Sequence, residues 1–482
     1  MNRTLIHILH TNDIHSHFEE MPRIQTVLDG LRRELSKTDA VCFTVDVGDH
    51  MDRVRVETEG TRGRANRAVM ETAGYQMITL GNNELLTFSK PDLDALFTDA
   101  PFEVLAANVE EAKGEQPHWL RRWTVREAEG FRIGFLGVTI PFQNFYRLLG
   151  WNVSDPLSLL AQEVARLRQE VDAVILLSHL GLGNDRRLAE AVPGIDVILG
   201  SHTHHLLEVP ERVGPTLIAA AGKFGGHVGH VTLEMDPVTR RVAALSGRCL
   251  PVREAPADEK VREQIRRFRL EAKNTLSEPI LELSEPLPVD WHRESPLGNL
   301  LADGLLDWVG ADCSLVNAGQ LLGGLKAGPV SRGRLHEICP HPINPCRILL
   351  SGASIRCTLE ESLLQEYQDK GIRGFGFRGK QLGTINMAGI KAVFEPAAPP
   401  MEKLREVRVA GAPLEEDELY RVATIDMFTF GVGYTEIKKG KEIEYFLPEF
   451  LRDILAHQLH RPGALRQCWI PRWQLQERDT AL

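Results

Sequence analysis

The chain has 482 residues, of which 43% are hydrophobic and 25% charged, an ordinary globular balance. At this length it can bury ample core without disulfides or structural metals. Its formal net charge of −10 disfavours a general binder of nucleic acid or anionic membrane, which usually carries a basic excess.

Seven scattered cysteines form neither a secreted framework nor paired C-x-x-C motifs. Free thiols in a reducing compartment are therefore expected, and the location read from the sequence is cytoplasmic. No apolar run approaches the ~20 residues of a membrane span. Residues 1–10 lead to a polar motif at Thr11 without the apolar core of a signal peptide, so none is expected.

Short apolar runs at 5–9, 40–45, 77–80, 103–106, 132–136, 173–177 and 196–199 predict strands. Stretches at 24–35, 63–73, 91–97 and 155–170 predict helices between them. This alternation predicts a layered α/β architecture. Two further strands are expected at 215–220 and 227–234, the second with the alternation of an antiparallel edge. The charged stretch 258–275 carries Val261, Ile265, Phe268 and Leu270 at roughly helical spacing and predicts a helix joining two domains. Beyond it, helices are expected at 298–309, 353–368 and 448–459, and strands at 313–316, 389–394 and 419–425. The expected organisation is a first domain over 1–257, a linker helix over 258–277 and a second domain over 278–482.

Five segments of the first domain share one layout, an apolar strand followed by polar residues of metal-ligand type. The polar segments are Thr11-Asn12-Asp13-Ile14-His15, Asp46-Val47-Gly48-Asp49, Gly81-Asn82-Asn83-Glu84, Ser178-His179 and Gly200-Ser201-His202-Thr203-His204. Each alone is an ordinary turn. Five together, each past the carboxyl end of a strand, match the place where open α/β sheets build sites. Imidazole, carboxylate and amide donors in mixture suit Mn, Zn, Fe or Co better than Mg or Ca. A carboxylate between two cations can hold them about 3.5–4 Å apart, and Asp49 is the candidate bridge. Asp13 and His15, two residues apart on a segment read as extended, are expected to point the same way. The same holds for His202 and His204, unless a turn sends them to different ions.

These motifs resemble those of the calcineurin-like metallophosphoesterases, and more narrowly the 5′-nucleotidase branch, which includes UDP-sugar hydrolases and cyclic-nucleotide phosphodiesterases. Ser295-Pro296-Leu297-Gly298-Asn299-Leu300 with Asp303, Leu315-Val316-Asn317-Ala318-Gly319 and the Gly431-Val432-Gly433-Tyr434 turn resemble that branch's C-terminal substrate domain. The resemblance implies an α/β chain: a four-layer α/β/β/α metallophosphoesterase domain, a linker helix and a C-terminal α/β substrate domain. It implies two divalent metal ions, Mn or Zn before Fe or Co. Asp13, His15, Asp49 and His204 would hold one, and Asp49, Asn82, His179 and His202 the other. The implied partner is a nucleotide or another small phosphate ester, with neither nucleic acid nor membrane; the oligomeric state is left open.

The chain departs from the family pattern at places that bear on chemistry. The family's G-N-H-[DE] is here Gly81-Asn82-Asn83-Glu84, and the Asp that often follows the His three residues on is Leu86. Asn83, the candidate catalytic residue, can donate a hydrogen bond but carries no titratable proton. Losing acid assistance costs about 10²–10⁴-fold, less for a good leaving group. His17, His50 and His205 are candidate replacements. The family's N-G-G-G-I-R is here Asn317-Ala318-Gly319-Gln320-Leu321-Leu322, without its Arg. Asn317 and Gly319 remain as candidate substrate contacts. P-F-G becomes Pro340-His341-Pro342, with His341 as a candidate stacking ring beside Phe428 or Phe430. Arg293 is a candidate phosphate or ribose contact. The expected function is removal of phosphate from nucleoside 5′-monophosphates or related nucleotides by a metal-activated water. The alternatives are a pyrophosphatase acting on UDP-sugars or dinucleotides, and a metal-retaining binding protein without turnover.

Overall fold

The computed structural model describes residues 3–38 and 40–476. They fall into two compact units, Met1–Lys273 and Asn274–Leu482.

The first unit is built on two sheets. Strand Thr4–Thr11 lies near the middle of the seven-stranded one. Its order is Arg241–Pro251, His227–Asp236, Thr4–Thr11, Val41–Asp46, Met77–Thr79, Glu103–Leu105, Leu120–Arg121. The six-stranded sheet runs Glu211–Val213, Thr216–Ala219, Val197–Gly200, Ala173–His179, Phe131–Thr139, Trp123–Ala128. Its four middle strands are mutually parallel.

Side-chain period sorts the layers. Ile6 and Ile8 meet Ile175 and Leu177 between the sheets. Leu9, on the opposite face, packs with Ile24 and Leu28 of helix Met21–Leu35. Leu176 packs with Leu160 of helix Pro156–Leu167 and Leu188 of helix Leu182–Ala191. The result is the expected helix, sheet, sheet, helix order. All five ligand-type segments lie at the carboxyl ends of strands: Thr4–Thr11, Val41–Asp46 and Met77–Thr79 in one sheet, Ala173–His179 and Val197–Gly200 in the other.

Two expectations change. Strand His227–Asp236 is antiparallel but interior, because Arg241–Pro251 pairs with its outer side. That outer strand has no strictly alternating pattern, since much of it stays in contact with solvent. Helix Glu259–Ser277 inserts Val261 and Ile265 into the core of the first unit and lies so close to Gly60 that a Cβ there would come 2.6 Å from Ala272 Cα. Its Leu270 faces solvent.

The second unit centres on a five-stranded sheet, Ile385–Ala388, Cys313–Asn317, Leu419–Ile425, Pro345–Ser351, Lys441–Tyr445. Leu300, Leu301 and Leu305 of helix Pro296–Val309 share one core with Leu451 and Leu455 of helix Leu451–Leu459. The helix expected at 353–368 is two, Gly352–Ser362 and Gln365–Gln368. All seven cysteines are unpaired. None of the described helices is long and apolar enough to cross a membrane.

Candidate metal centre

The first two ligand loops are zipped together past the ends of their strands. Val47 N donates to Thr11 O (2.9 Å), Asp13 N to Gly48 O (3.0 Å) and His15 N to Asp49 O (2.9 Å). This ladder holds Asp13, His15 and Asp49 at φ of 51°, 47° and 51°, in the left-handed region. His202 and His204 are there too, at 71° and 61°. Such backbone costs about 1–3 kcal/mol per residue and persists only where its surroundings over-determine it. The expectation that Asp13 and His15 project from an extended segment is thus corrected. They converge through left-handed turns, which bring His15 Nε2 to 3.9 Å from Asp13 Oδ1.

Six of the seven candidate ligands meet across the two sheets. His204 Nε2 lies 3.2 Å from His15 Nε2 and 3.6 Å from Asp13 Oδ1. Asp49 Oδ2 is 3.8 Å from His15 Nε2, while Asp49 Oδ1 is 3.5 Å from His179 Nε2. The rings of His202 and His179 are 5.3 Å apart, so His202 stands with His179 and His204 with His15. Donor atoms of Asp13, His15 and His204 lie within 4.8 Å of one another, as do those of Asp13, Asp49 and His179. His179 Nδ1 lies 2.8 Å from Val47 O, and Nε2 is buried without a hydrogen-bond partner. Asn82 Oδ1 is likewise buried and unpartnered. Orphaned lone pairs beside two buried carboxylates are the donor set that a divalent cation satisfies.

The electrostatics agree. Burial opposes charge on His179, yet the Asp49 carboxylate prevails and pushes it up to about 10. Burial likewise opposes the charge on Asp49, which His179 and His15 hold well below the usual carboxylate range. A pocket that draws a proton onto a fully buried imidazole also draws a cation.

Several supporting residues went unassigned in the sequence. Asn12 Nδ2 (2.8 Å) and Ser201 Oγ (2.7 Å) donate to Asp13 Oδ2, and His202 N to both Asp13 oxygens at 3.1 Å. Glu84 accepts from Gly81 N (2.8 Å), Asp49 N (3.0 Å) and Met51 N (2.9 Å), tying the second loop to the third. Burial, with Asp49 nearby, pushes Glu84 up to about 7. Asn12, Ser201 and Glu84 lie inside the quoted motifs. The available signal was that a buried carboxylate needs donors close in sequence to its partners. Asp52, 3.6 Å from His15 Nδ1 through Oδ2, and Phe224, whose amide donates to Asp13 O (2.7 Å), had no such signal.

Asn83 sits at the start of helix Asn82–Thr87. Its amide N donates to Asp49 Oδ1 (2.8 Å), and its Nδ2 donates to Met51 O (3.0 Å) and lies 3.0 Å from His15 Nδ1. Of the candidate replacement acids, His50 is fully buried and desolvation pushes it down to about 3. His205 Nδ1 lies 2.8 Å from Thr203 Oγ1. His17 stacks on Phe224 at 4.2 Å between centroids.

In the second unit His341 is fully buried, stacked on Phe377 at 5.1 Å. Its Nδ1 accepts from Arg378 N (2.9 Å) and its Nε2 lies 3.0 Å from Gln320 O. The ring therefore belongs to the core rather than to an open stacking face. Asn317 donates Nδ2 to Leu382 O (2.6 Å) and accepts from Gln320 at Oδ1 (2.9 Å). Gly319 leaves no room, since a Cβ would come 2.1 Å from Gln381 O. Phe428 is core, packed edge-on to Tyr434. Phe430 is 40% exposed and stacks with Phe375, 55% exposed, at 6.0 Å. Arg293 is exposed beside Asp290, whose Oδ1 accepts its amide (3.1 Å).

Residues 6–206 match the calcineurin-like phosphoesterases and residues 278–438 the 5′-nucleotidase C-terminal domain. The chain is 37% identical to the uncharacterized metallophosphoesterase YunD of Bacillus subtilis, over 94% of this chain and 99% of that protein. It is 23% identical to the 5′-nucleotidase of Mus musculus, over 86% of this chain and 81% of that one. The solved structure of Haemophilus influenzae NAD nucleotidase is similar in fold, with a TM-score of 0.70 at 16% identity, covering 99% of this chain and 100% of that chain. The chain is thus a phosphoester hydrolase and belongs to the calcineurin-like phosphoesterases that carry a 5′-nucleotidase C-terminal domain.

Proposed function

We propose that the protein removes phosphate from nucleoside 5′-monophosphates or related nucleotides with the help of two divalent ions, Mn or Zn before Fe or Co. Asp13, His15, Asp49 and His204 would hold one ion, and Asp49, Asn82, His179 and His202 the other. The observation that carries this reading is Asp49, whose two oxygens face different imidazoles, His15 and His179. When bound, such a pair supplies Lewis acidity for the attack of water on phosphorus. The chain's own part is preorganisation. Val47 O orients His179, Asp52 orients His15, and Asn12 with Ser201 orient Asp13. Such outer partners tune a metal centre nearly as strongly as its ligands. Phe430, with Phe375 beside it, offers the base an exposed aromatic face. The free thiols favour a cytoplasmic location.

A second reading is cleavage of a pyrophosphate bond in UDP-sugars or dinucleotides. It is favoured by Asn83, which has no titratable proton and whose amide is engaged with Met51 and His15. Good leaving groups need less acid assistance. Phosphate release by metal-stripped protein reloaded with Mn²⁺ or Zn²⁺ separates the readings, with nucleoside monophosphates, cyclic nucleotides, UDP-glucose and an aryl phosphate as substrates. Turnover of a monophosphate supports the first. Turnover of UDP-glucose without any monophosphate rejects it for the second, and turnover of the aryl phosphate alone rejects both in favour of monoesters with good leaving groups.

A further inference from the structure

Helices Met21–Leu35 and Glu259–Ser277 enclose a concavity of about 290 Å³ within the first unit. Its floor is apolar, with Phe18 and Ile265 among its residues, and its wall carries Arg23, Arg262, Arg266 and Arg269. Four guanidinium groups line one small cavity in a chain of net charge −10. Arg262, Arg266 and Arg269 share one helix face by their spacing of four and three. Asp258 N donates to Pro22 O (3.0 Å), fixing the start of one helix against the other.

The ion pairs of these arginines show which are available. Arg269 is anchored by the buried Glu57, Nε to Oε1 at 2.6 Å. Among the described residues, Arg23, Arg262 and Arg266 pair with Glu20, Glu259 and Glu263, three residues away, the first pair half-buried and the other two exposed to solvent. Such pairs contribute at most about 1 kcal/mol and exchange readily. Glu19 is the only carboxylate among the lining residues, and it already accepts from Arg55 Nη2 (2.5 Å).

We propose that this cavity binds a small phosphate-bearing anion, separately from the metal centre. The planar guanidinium forks suit bidentate recognition of phosphate oxygens. The Phe18 and Ile265 floor suits an apolar or planar appendage, and the volume sits at the small end for a ligand pocket. Two phosphate sources share this chemistry, an inorganic polyphosphate and a nucleotide. The site also lies beside the catalytic segment, because Glu19 is 2.9 Å from His17 Nδ1, two residues after His15.

Calorimetric titration of the full-length, metal-stripped chain tests this, since phosphates then have only protein side chains to bind. Pyrophosphate and ADP are the probes. One saturable site per chain is expected, and Arg262→Gln with Arg266→Gln should weaken it about 100-fold, about tenfold per guanidinium. Arg262→Lys with Arg266→Lys should weaken it less, because charge remains and only the fork is lost. The melting temperatures of both variants show that they fold. ADP binding tighter than pyrophosphate identifies a nucleotide; equal binding identifies the inorganic anion. Equal binding by the native chain and the Gln variant overturns the proposal, as does the absence of saturable binding to the native chain.

Discussion

Asn83 Nδ2 lies 3.0 Å from His15 Nδ1 while donating to Met51 O. The Met51 carbonyl fixes which way the amide points, so Asn83 presents a donor to His15. Asp52 Oδ2 approaches the same Nδ1 at 3.6 Å and favours a proton there instead. For Nε2 to bind a metal, Nδ1 must carry the proton, which turns His15 toward Asp52. Asn83→Ala removes the donor that disfavours this tautomer and should therefore raise metal affinity, by up to about tenfold. Asn83→His should place a titratable group beside the centre and raise kcat about 100-fold on a nucleoside monophosphate, with little change on an aryl phosphate. Equal gains on both substrates would show that position 83 does not act on the leaving group.

Asp49 is the residue on which both ligand groups depend in the proposed assignment. Asp49→Ala leaves His15 and His179 without their shared carboxylate and should abolish metal loading and turnover together. Bound metal per chain, measured on purified protein, is the direct readout. A variant that keeps two ions, or keeps full activity, removes Asp49 from the role of bridge.

The third ligand loop reaches the second only because residue 81 has no side chain. A Cβ on Gly81 would come 2.1 Å from Asp49 Oδ1. The backbone there is extended, with φ −92°, so the obstacle is space and not conformation. Gly81→Ala should push Asp49 out of place, destabilise the first unit by about 1–3 kcal/mol and lose metal before it loses fold. The melting temperature and metal content of the variant test both effects. Unchanged metal content would mean that the loop shifts freely.

Much of the candidate metal centre was legible in the sequence because each proposed ligand lies at or just past the end of a strand whose apolar run is itself legible. Five strand ends then had to converge at the carboxyl edges of the sheets. What stayed hidden was long-range. The left-handed turns at Asp13, His15 and Asp49 arise from hydrogen bonds between loops some 35 residues apart. His341 looked available in a Pro-x-Pro run, yet it is buried because Phe377 stacks over it. Strand Arg241–Pro251 lacked alternation because much of it remains solvated. Local pattern reports strand and ligand identity; it does not report which side chain a distant residue will cover.

The choice between Phe428 and Phe430 also needed the fold. Phe428 is core and Phe430 is 40% exposed. Stacking of a base on an aromatic ring contributes about 1–3 kcal/mol. Phe430→Ala should therefore raise KM for a nucleoside monophosphate about tenfold or more, leaving aryl phosphate kinetics nearly unchanged. An equal loss on both substrates would point to a folding role. The same comparison on Phe428→Ala should show that broader loss, because its ring packs on Tyr434.

Asp426 gives a stability prediction with a definite sign. It is buried, and desolvation pushes its carboxyl up to about 7 from an ordinary value of 3.8, even though Asn344 N donates to Oδ2 at 3.1 Å. Its Oδ1 has no partner. The folded state thus binds this proton more tightly than the unfolded state. The contribution to stability is complete below the unfolded pKa, shrinks as pH rises between the two values, and is lost as pH passes through about 7. Asp426→Asn keeps an oxygen that can accept from Asn344 while removing the charge. The second unit of this variant should melt higher than the native one at about pH 8, and the two should converge toward about pH 5. Calorimetric melting across that range reads the difference directly. A native slope that survives in Asp426→Asn would assign the pH dependence to another group.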